Sequence, residues 1–177
     1  MGSDEGSVVN GLNIGEFREA VKTVAEQEGA QHAPKKARVQ WMGGFKFSAL
    51  TRNHTFVIDE PAHLTGEDEA PNSMEYVLGA YGACLATGFV LNASLQGVTI
   101  RNMEIALDAG QDNVFTFLGL GGEGHSGFSN VNAKLYVQAE ADAETLQRIW
   151  EKTVETSPVG NSLVHNVVIN PAMDVIP

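Results

Sequence analysis

The stretch Asn72-Ser-Met-Glu-Tyr-Val-Leu-Gly-Ala-Tyr-Gly-Ala-Cys84-Leu-Ala-Thr-Gly88 decides the fold of this chain and contains its only cysteine. It is apolar, rich in small residues and without a positive charge. Asn72 or Ser73 can cap a helix that runs to about Gln96, and Gly97 suits the position just after it. Cys84 is therefore either an inert thiol packed in a core helix or a nucleophile held in a pocket.

Small side chains form a stripe along this predicted helix. Ala80, Cys84 and Gly88 share one face because residues four apart on a helix are neighbours. Gly79 and Gly82 add further small positions. A glycine inside a helix costs roughly 0.5–1 kcal/mol relative to alanine, so three of them need a compensating reason. We expect another backbone to approach the helix closely, from this chain or from a partner subunit.

Composition indicates one globular domain, or one domain with an appendage, because the 177 residues are 43% hydrophobic and 19% charged. The formal net charge of −11 repels phosphate and anionic lipid, so we expect no nucleic-acid and no membrane partner. The lone cysteine excludes an intrachain disulfide and a cysteine-based zinc site. Because the run Val77 to Leu91 is shorter than a bilayer span and no signal-peptide pattern is visible, we expect a cytoplasmic protein.

The hydrophobic pattern predicts helices and strands in one chain. Residues 1–10 are predicted to be loose, residues 12–28 to form an amphipathic helix, and residues 29–36 to form a linker. Asp142 is predicted to cap a helix that runs to about Thr156, and Ser157-Pro158 to begin a short further helix. Alternating segments predict strands at 38–42, 45–50, 55–58, 98–108, 131–139 and 165–169.

The environment of Cys84 decides its chemistry, because the thiolate is the reactive form and a nearby cation favours it. Cys84 is about three turns inside its helix, where the helix dipole contributes little. No lysine or arginine occurs between Asn53 and Ile100. A cation must therefore come from elsewhere in the fold, and Arg52 and Lys46 are the nearest candidates in sequence.

Several motifs occur in the order found in the OsmC/Ohr superfamily, which the chain resembles over residues 37–177. The names denote osmotically induced protein C and the organic hydroperoxide resistance protein, and residues 1–36 would be an extension. The motifs are Trp41-Met-Gly-Gly44, Arg52, Asp59-Glu-Pro61, Pro71 to Thr87 with Gly-Ala-Cys84 inside it, Phe117-Leu-Gly-Leu120 and Ser157-Pro-Val159.

The resemblance implies an α+β fold, with strand-rich layers around two central helices, and an intertwined homodimer with active sites at the subunit interface. Family enzymes reduce organic hydroperoxides with an attacking and a resolving cysteine and take electrons from a dithiol. An arginine and a glutamate orient and activate the first thiolate. No cofactor is implied.

The family's residues carry over only in part. Cys84 matches the attacking cysteine, and Arg52 matches an arginine of this branch. Ser157 stands at the position of the resolving cysteine, and a serine forms no disulfide. Met74 occupies the position of the family's acid in its peroxidase branches. Glu75 is the neighbouring carboxylate, but nine residues place it on the opposite side of the helix from Cys84, which favours a first-turn acid.

Other residues that could form a site have simpler interpretations. Gly119-Leu-Gly-Gly-Glu-Gly124 fits a dinucleotide motif, but no helix is predicted after it and a strand follows, so we interpret it as a connection. His63, Glu67, Asp68 and Glu69 are interpreted as a solvated loop, and His54, His125 and His165 as isolated. Core positions are favoured for four aromatic residues that could otherwise wall a pocket beside the thiol: Trp41, Phe45, Tyr81 and Phe89.

Two hypotheses follow from the sequence. In the first, the chain is a single-cysteine hydroperoxide reductase in which Cys84 attacks the peroxide, Arg52 favours the thiolate, and an external thiol or dithiol reduces the sulfenate. In the second, the chain is a non-enzymatic dimer of the same fold that binds a small apolar ligand or has a structural role.

Overall fold

A computed structural model describes residues 7–176 and combines helices with antiparallel sheets, as expected for an α+β protein. The strands are β1 (Val8–Val9), β2 (Leu12–Asn13), β3 (Arg38–Gly43), β4 (Lys46–Thr51), β5 (His54–Ile58), β6 (Ile100–Gln111) and β7 (Phe128–Ala139). The α-helices are α1 (Ile14–Ala25), α2 (Ser73–Leu95), α3 (Val114–Phe117), α4 (Ala143–Thr156) and α5 (Pro158–Val164).

The N-terminal segment is more ordered than its polar composition predicts. β1 and β2 form a short hairpin where a loose segment was expected, although residues 1–6 of that segment lie outside the described residues. Asn10 in the turn has a left-handed φ of 50°. Its side chain donates hydrogen bonds to Ser94 Oγ at 3.0 Å and Val98 O at 2.9 Å, and accepts one from Ile100 N at 2.8 Å. These bonds attach the hairpin to the corner between α2 and β6.

The predicted amphipathic helix is confirmed as α1, which begins after its N-cap Asn13. Asn13 Oδ1 accepts a hydrogen bond from Glu16 N, which satisfies one of the unpaired N–H groups of the first turn. Ile14 is buried, whereas Val21 and Val24 on the same helix are about half exposed. The helix is therefore anchored to the body of the chain at its first turn.

The predicted meander is also confirmed, as the antiparallel sheet β3-β4-β5. Two links hold this sheet to the segment around the start of α2. Tyr76 Oη donates to Val57 O at 2.6 Å, with its ring 5.0 Å from that of Phe56. Lys46 on β4 forms ion pairs with Glu67 and Glu69 of the following loop.

The core lies between the two long helices and the hairpin of β6 and β7. Phe89 and Ala93 of α2 and Ile149 of α4 are completely buried, and the Trp150 ring lies 6.5 Å from the Phe89 ring. Met103 of β6 packs against this cluster from the sheet side. Apolar residues on one face of each element therefore produce the expected layered arrangement of helices and strands.

Two of the three glycines of α2 have close neighbours, and these are side chains and not the backbone predicted from the sequence. A Cβ at Gly88 would lie 3.1 Å from Thr153 Cγ2, and one at Gly82 would lie 2.6 Å from Leu107 Cδ1. Gly79 has no atom within 4 Å of such a Cβ. The small-residue stripe thus allows α4 of the same chain to approach α2 at Gly88.

One predicted element is wrong. Residues 165–169 form no strand, although their apolar pattern suggested one. A strand requires a hydrogen-bonded neighbour, and within residues 7–176 no strand edge pairs with this segment. Val167, Val168 and Ile169 are consequently exposed. The short helix α3 was not predicted, because its four residues are too few for a helical period to be visible.

By length and composition alone, α2 is apolar enough to cross a membrane, a property that the central helix of a globular core shares. Its N-terminus has a complete capping box, in which Asn72 accepts from Glu75 N and Glu75 accepts from Asn72 N. Its buried face packs against α4 and β6. We therefore interpret α2 as the core helix that the sequence predicted.

Candidate functional site

Cys84 lies in the middle of α2 and is a partly exposed residue. Leu85, the next residue, is completely buried in the core. The sulfur thus lies at the edge of the buried face of α2, next to the junction between α4 and α5. Partial exposure distinguishes Cys84 from a fully packed core thiol, which was one of the two alternatives from the sequence.

Ser157 brings this corner into direct contact with the thiol. Its Oγ donates a hydrogen bond to Cys84 Sγ at 3.3 Å. The same oxygen accepts from Gly160 N at 3.1 Å, which makes Ser157 the N-cap of α5 with Pro158 after it. This confirms the predicted helix start. Ser157 is only 3% exposed, so protein atoms and not solvent determine its hydrogen bonds.

Asn161 fixes the corner that holds Ser157. Its Nδ2 donates to Glu155 O at 3.0 Å and to Ser157 O at 2.9 Å. Glu155 O belongs to the last turn of α4, where carbonyl groups lack helical partners. Ser157 O also accepts from Asn161 N in the first turn of α5. The junction between α4 and α5 is therefore held by side-chain hydrogen bonds, and the Ser157 hydroxyl has a defined position above α2.

A cleft of about 520 Å³ opens beside the sulfur, between α2 and the end of α4. Asn92 Nδ2 donates to Thr153 Oγ1 at 3.2 Å across it. In the part of the chain that the structure describes, every side chain that lines the cleft is uncharged. The lining residues are Ala80, Ala83, Cys84, Thr87, Gly88, Leu91, Asn92, Thr153, Thr156, Ser157 and Pro158.

The two cations considered in the sequence analysis lie outside this cleft. Arg52 occupies the turn between β4 and β5 with a left-handed φ of 55° and is exposed. Among residues 7–176, no hydrogen bond or ion pair involves its guanidinium. Lys46 pairs with Glu67 and Glu69, and these hydrogen bonds raise the pKa of its ammonium above the ordinary value. Lys46 is thus committed to the acidic loop, whereas Arg52 is available to another group.

The acidic residues near the start of α2 have structural roles. Glu75 accepts from Asn72 N at 2.8 Å in the capping box, the first-turn position that its spacing indicated. It does not line the cleft beside Cys84, and neither does Met74. The single chain therefore brings Ser157 to the thiol and leaves Arg52 and Glu75 outside the cleft.

Asp59, from the motif Asp59-Glu-Pro61, is buried and organises the loop before α2. Its carboxylate accepts from Glu60 N at 2.8 Å and Glu69 N at 3.2 Å. Burial acts to raise its pKa, but the backbone N–H groups of Glu69, Glu60 and Glu67 and the charge of Lys46 hold that pKa below its usual value. Burial, followed by the charges of Asp59 and Glu75, raises the pKa of Glu60.

The four aromatic residues have different surroundings. Phe89 is a core residue, as favoured by the sequence, whereas Trp41 and Phe45 are 68% and 49% exposed on the meander. Tyr81 lines a second cavity of about 450 Å³, next to Gly160 and β7. None of the four lines the Cys84 cleft within the described part of the chain.

Two other candidate sites from the sequence were a metal cluster and the glycine-rich segment at 119–124. No group of three histidine, cysteine, aspartate or glutamate residues suited to a metal ion occurs in residues 7–176. The glycine-rich segment at 119–124 is followed by β7 and not by a helix, as expected for a connection. Gly119, Gly121, Gly122 and Gly124 all have positive φ, so the segment forms turns that suit glycine.

Sequence reasoning identified Ser157 as a helix cap but did not place its hydroxyl on the sulfur. The available signal was the correspondence of Ser157 to the family's resolving cysteine, a position that must reach the attacking thiol. The contact joins residues 73 positions apart, which no local pattern reveals.

Comparison with known proteins identifies the family and the fold of this chain. The family model for OsmC-like proteins matches residues 66–172, and the chain belongs to that family. An OsmC-like protein from Mycoplasma pneumoniae has a TM-score of 0.63 at 14% identity, covering 74% of this chain and 87% of that one. An OsmC-like protein of unknown function from Vibrio cholerae has a TM-score of 0.62 at 11% identity, covering 73% and 93%.

An organic hydroperoxide resistance protein from Elizabethkingia anophelis is similar with a TM-score of 0.54 at 19% identity, covering 76% of this chain and 90% of that one. At these identities the structural matches establish the OsmC fold. No curated protein matches the sequence significantly.

Proposed function

We propose that this protein reduces organic hydroperoxides with Cys84 as its single reactive cysteine. The observation that carries the proposal is that Cys84, a partly exposed residue, lines an uncharged cleft in a protein of the OsmC family. An uncharged lining suits the alkyl part of an organic hydroperoxide, because burial of apolar surface favours its binding. The names of the hydroperoxide resistance proteins with the same fold agree with this substrate class.

The reaction cycle needs no second cysteine. The Cys84 thiolate attacks the distal oxygen of the hydroperoxide, the O–O bond breaks, and the alkoxide takes a proton to leave as an alcohol. Cys84 is then a sulfenic acid, which an external thiol converts to a mixed disulfide with release of water. A second external thiol restores Cys84 and leaves as the oxidised disulfide. One hydroperoxide and two thiols thus give one alcohol, one water and one disulfide.

The positive charge for this reaction is proposed to come from Arg52 across a homodimer interface. The meander that carries Arg52 exposes large apolar side chains, including Trp41, Phe45 and Phe56. Such surface is unusual on an isolated domain and is typical of an interface. Because the Arg52 guanidinium has no partner within residues 7–176, it is free to face a cleft on a second copy.

The uncharged lining also favours one alternative. A cleft without a cation could bind a small apolar ligand while Cys84 remains unreactive, as in the non-enzymatic hypothesis. Arg52 distinguishes the two functions, because only the peroxidase requires it.

Turnover tests the proposal directly. Loss of cumene hydroperoxide is followed with excess dithiothreitol for the wild type, Cys84→Ser, Arg52→Ala and Arg38→Ala, the last as an exposed arginine of the same sheet. We expect turnover by the wild type and Arg38→Ala, background loss with Cys84→Ser, and strongly reduced turnover with Arg52→Ala. Equal background rates for the wild type and Cys84→Ser would reject the peroxidase.

A further inference from the structure

We infer that the cleft beside Cys84 selects its ligand by length and by the chemistry of the ligand's far end. The preferred hydroperoxide is about 12 Å long and carries an uncharged hydrogen-bonding group, above all a hydroxyl, at the end away from the peroxide. Asn92 is the residue that recognises this group. The inference rests on the proposed function and names the substrate class of the same site.

The length follows from the direction in which the cleft runs along α2. Cys84, Gly88 and Asn92 line it at intervals of four residues, so they share one face of the helix. At about 1.5 Å per residue, Asn92 lies about 12 Å beyond Cys84 along the helix axis. In the other direction the lining of α2 ends one turn away, at Ala80. A ligand that reacts at the sulfur therefore extends toward Asn92.

The threonines that line the cleft offer a ligand no hydrogen-bond donor. Thr87, Thr153 and Thr156 each donate the hydroxyl proton to the carbonyl group four residues earlier in their own helix. Gly88 and Leu91 contribute only a backbone and an alkyl group to the lining. The walls of the cleft thus suit an alkyl chain, because it loses no hydrogen bond to water when it binds there.

The amide of Asn92 differs, because Thr153 fixes its orientation and leaves part of it free. Thr153 is buried, and its Oγ1 donates its one proton to Ile149 O at 2.8 Å. It must therefore accept from Asn92, so the amide atom 3.2 Å away is the donor Nδ2. The second N–H and the carbonyl oxygen of Asn92 have no partner within residues 7–176. Because Asn92 is partly exposed, a ligand can reach them.

These two free groups determine the end of the ligand that fits. A hydroxyl donates to the carbonyl oxygen of Asn92 and accepts from its N–H. A methyl end removes water from the amide and returns no hydrogen bond, which is unfavourable. A carboxylate only accepts, and no lining residue among those described supplies a cation to offset its desolvation. In the proposed dimer, Arg52 acts at the sulfur and not at this end.

The experiment measures binding of three unreactive alcohols of one chain length: octanol, octanediol and hydroxyoctanoate. Each is the alcohol product of a hydroperoxide whose far end is a methyl, a hydroxyl or a carboxylate. Ligand-observed NMR gives their affinities for the wild type, Asn92→Leu and Gln96→Leu. Asn92→Leu removes the amide and keeps a side chain of similar size. Gln96→Leu is the matched control, because it makes the same kind of change one turn further along, at an exposed residue outside the cleft.

We expect the ratio of octanediol affinity to octanol affinity to be about three- to tenfold higher for the wild type than for Asn92→Leu. Gln96→Leu should keep the wild-type ratio, and hydroxyoctanoate should bind the wild type more weakly than octanediol does. Asn92→Ala, which removes the amide without added bulk, should lower the ratio as Asn92→Leu does. Equal ratios for the wild type and both Asn92 variants, an equal fall in Gln96→Leu, or tightest binding of hydroxyoctanoate would overturn the inference.

These measurements separate the inference from the proposed function. A ratio that falls in the Asn92 variants, in a protein without hydroperoxide turnover, would retain end-group recognition by the cleft and reject the peroxidase. If the protein turns over, kcat/KM for the three corresponding hydroperoxides should follow the order of the alcohols. Turnover with equal kcat/KM for the methyl-ended and hydroxyl-ended hydroperoxides would retain the function and reject the inference. Circular dichroism of each variant confirms that the fold is intact.

Discussion

Replacement of Ser157 by cysteine is predicted to create a disulfide with Cys84. The side-chain atoms already lie 3.3 Å apart, and a disulfide bond is about 2 Å long. Closure therefore requires a movement of only about 1 Å, which a turn at the junction of two helices can supply. Both sulfurs would be held on elements that pack against each other, α2 and α4–α5.

The stabilisation follows from the length of the loop that the disulfide closes. Cys84 and residue 157 are 73 positions apart. For a loop of this length, the chain-entropy model predicts that the free energy of unfolding is about 4 kcal/mol higher for the oxidised variant than for the reduced one. Loss of the serine cap subtracts about 1 kcal/mol relative to the wild type. The oxidised Ser157→Cys protein should therefore be about 3 kcal/mol more stable to unfolding than the wild type.

Thiol titration and denaturant unfolding together measure this effect. After mild oxidation, Ser157→Cys should have no free thiol. It should run as a single chain on a non-reducing gel, because the disulfide forms within one chain. Thr156→Cys is the matched control, because it places a thiol in the same cleft next to the contact position and should remain reduced. Two free thiols in oxidised Ser157→Cys, or equal stability before and after oxidation, would refute the geometry.

Three further predictions concern the fold. Gly79→Ala should raise the free energy of unfolding by about 0.5–1 kcal/mol, because its Cβ meets open space. Gly82→Ala should give a smaller gain, because its Cβ must displace the flexible end of the Leu107 side chain. Asn10→Gly, which keeps the left-handed turn but removes three hydrogen bonds, should lower the free energy of unfolding by about 1–3 kcal/mol. Asp59→Asn should lower the free energy of unfolding at pH 7. The difference in this free energy between wild type and variant should become smaller as the pH falls below about 4, because protonation of Asp59 removes the stabilisation that its depressed carboxyl pKa provides.

Local chemistry in the sequence predicted most elements of the fold. The helix that contains Cys84 was predicted from Asn72 and Gly97, which do lie at its two ends. The change from helical to alternating periodicity after residue 37 located β3 to β5. These signals are visible because caps and side-chain periods act within a few residues.

Long-range relations were less visible. The hydrogen bonds of Asn10 to the corner between α2 and β6 span more than 80 positions, so the order of the first hairpin had no local sign. The prediction of a strand at 165–169 was wrong for the opposite reason. The local apolar pattern is present, but within the described residues no neighbouring strand pairs with this segment. The position of Ser157 on the sulfur required both the helix start at Pro158 and the packing of α4 on α2.

The most direct measurement of the central claim is the rate at which an organic hydroperoxide oxidises Cys84. One equivalent of cumene hydroperoxide is added to the reduced protein, the sulfenic acid is trapped with dimedone, and the adduct is located by mass spectrometry. Free cysteine at the same pH is the reference. We predict that the adduct forms on Cys84 faster than on free cysteine; an absent adduct, or a rate no greater than that of free cysteine, would contradict a reactive thiol in this cleft.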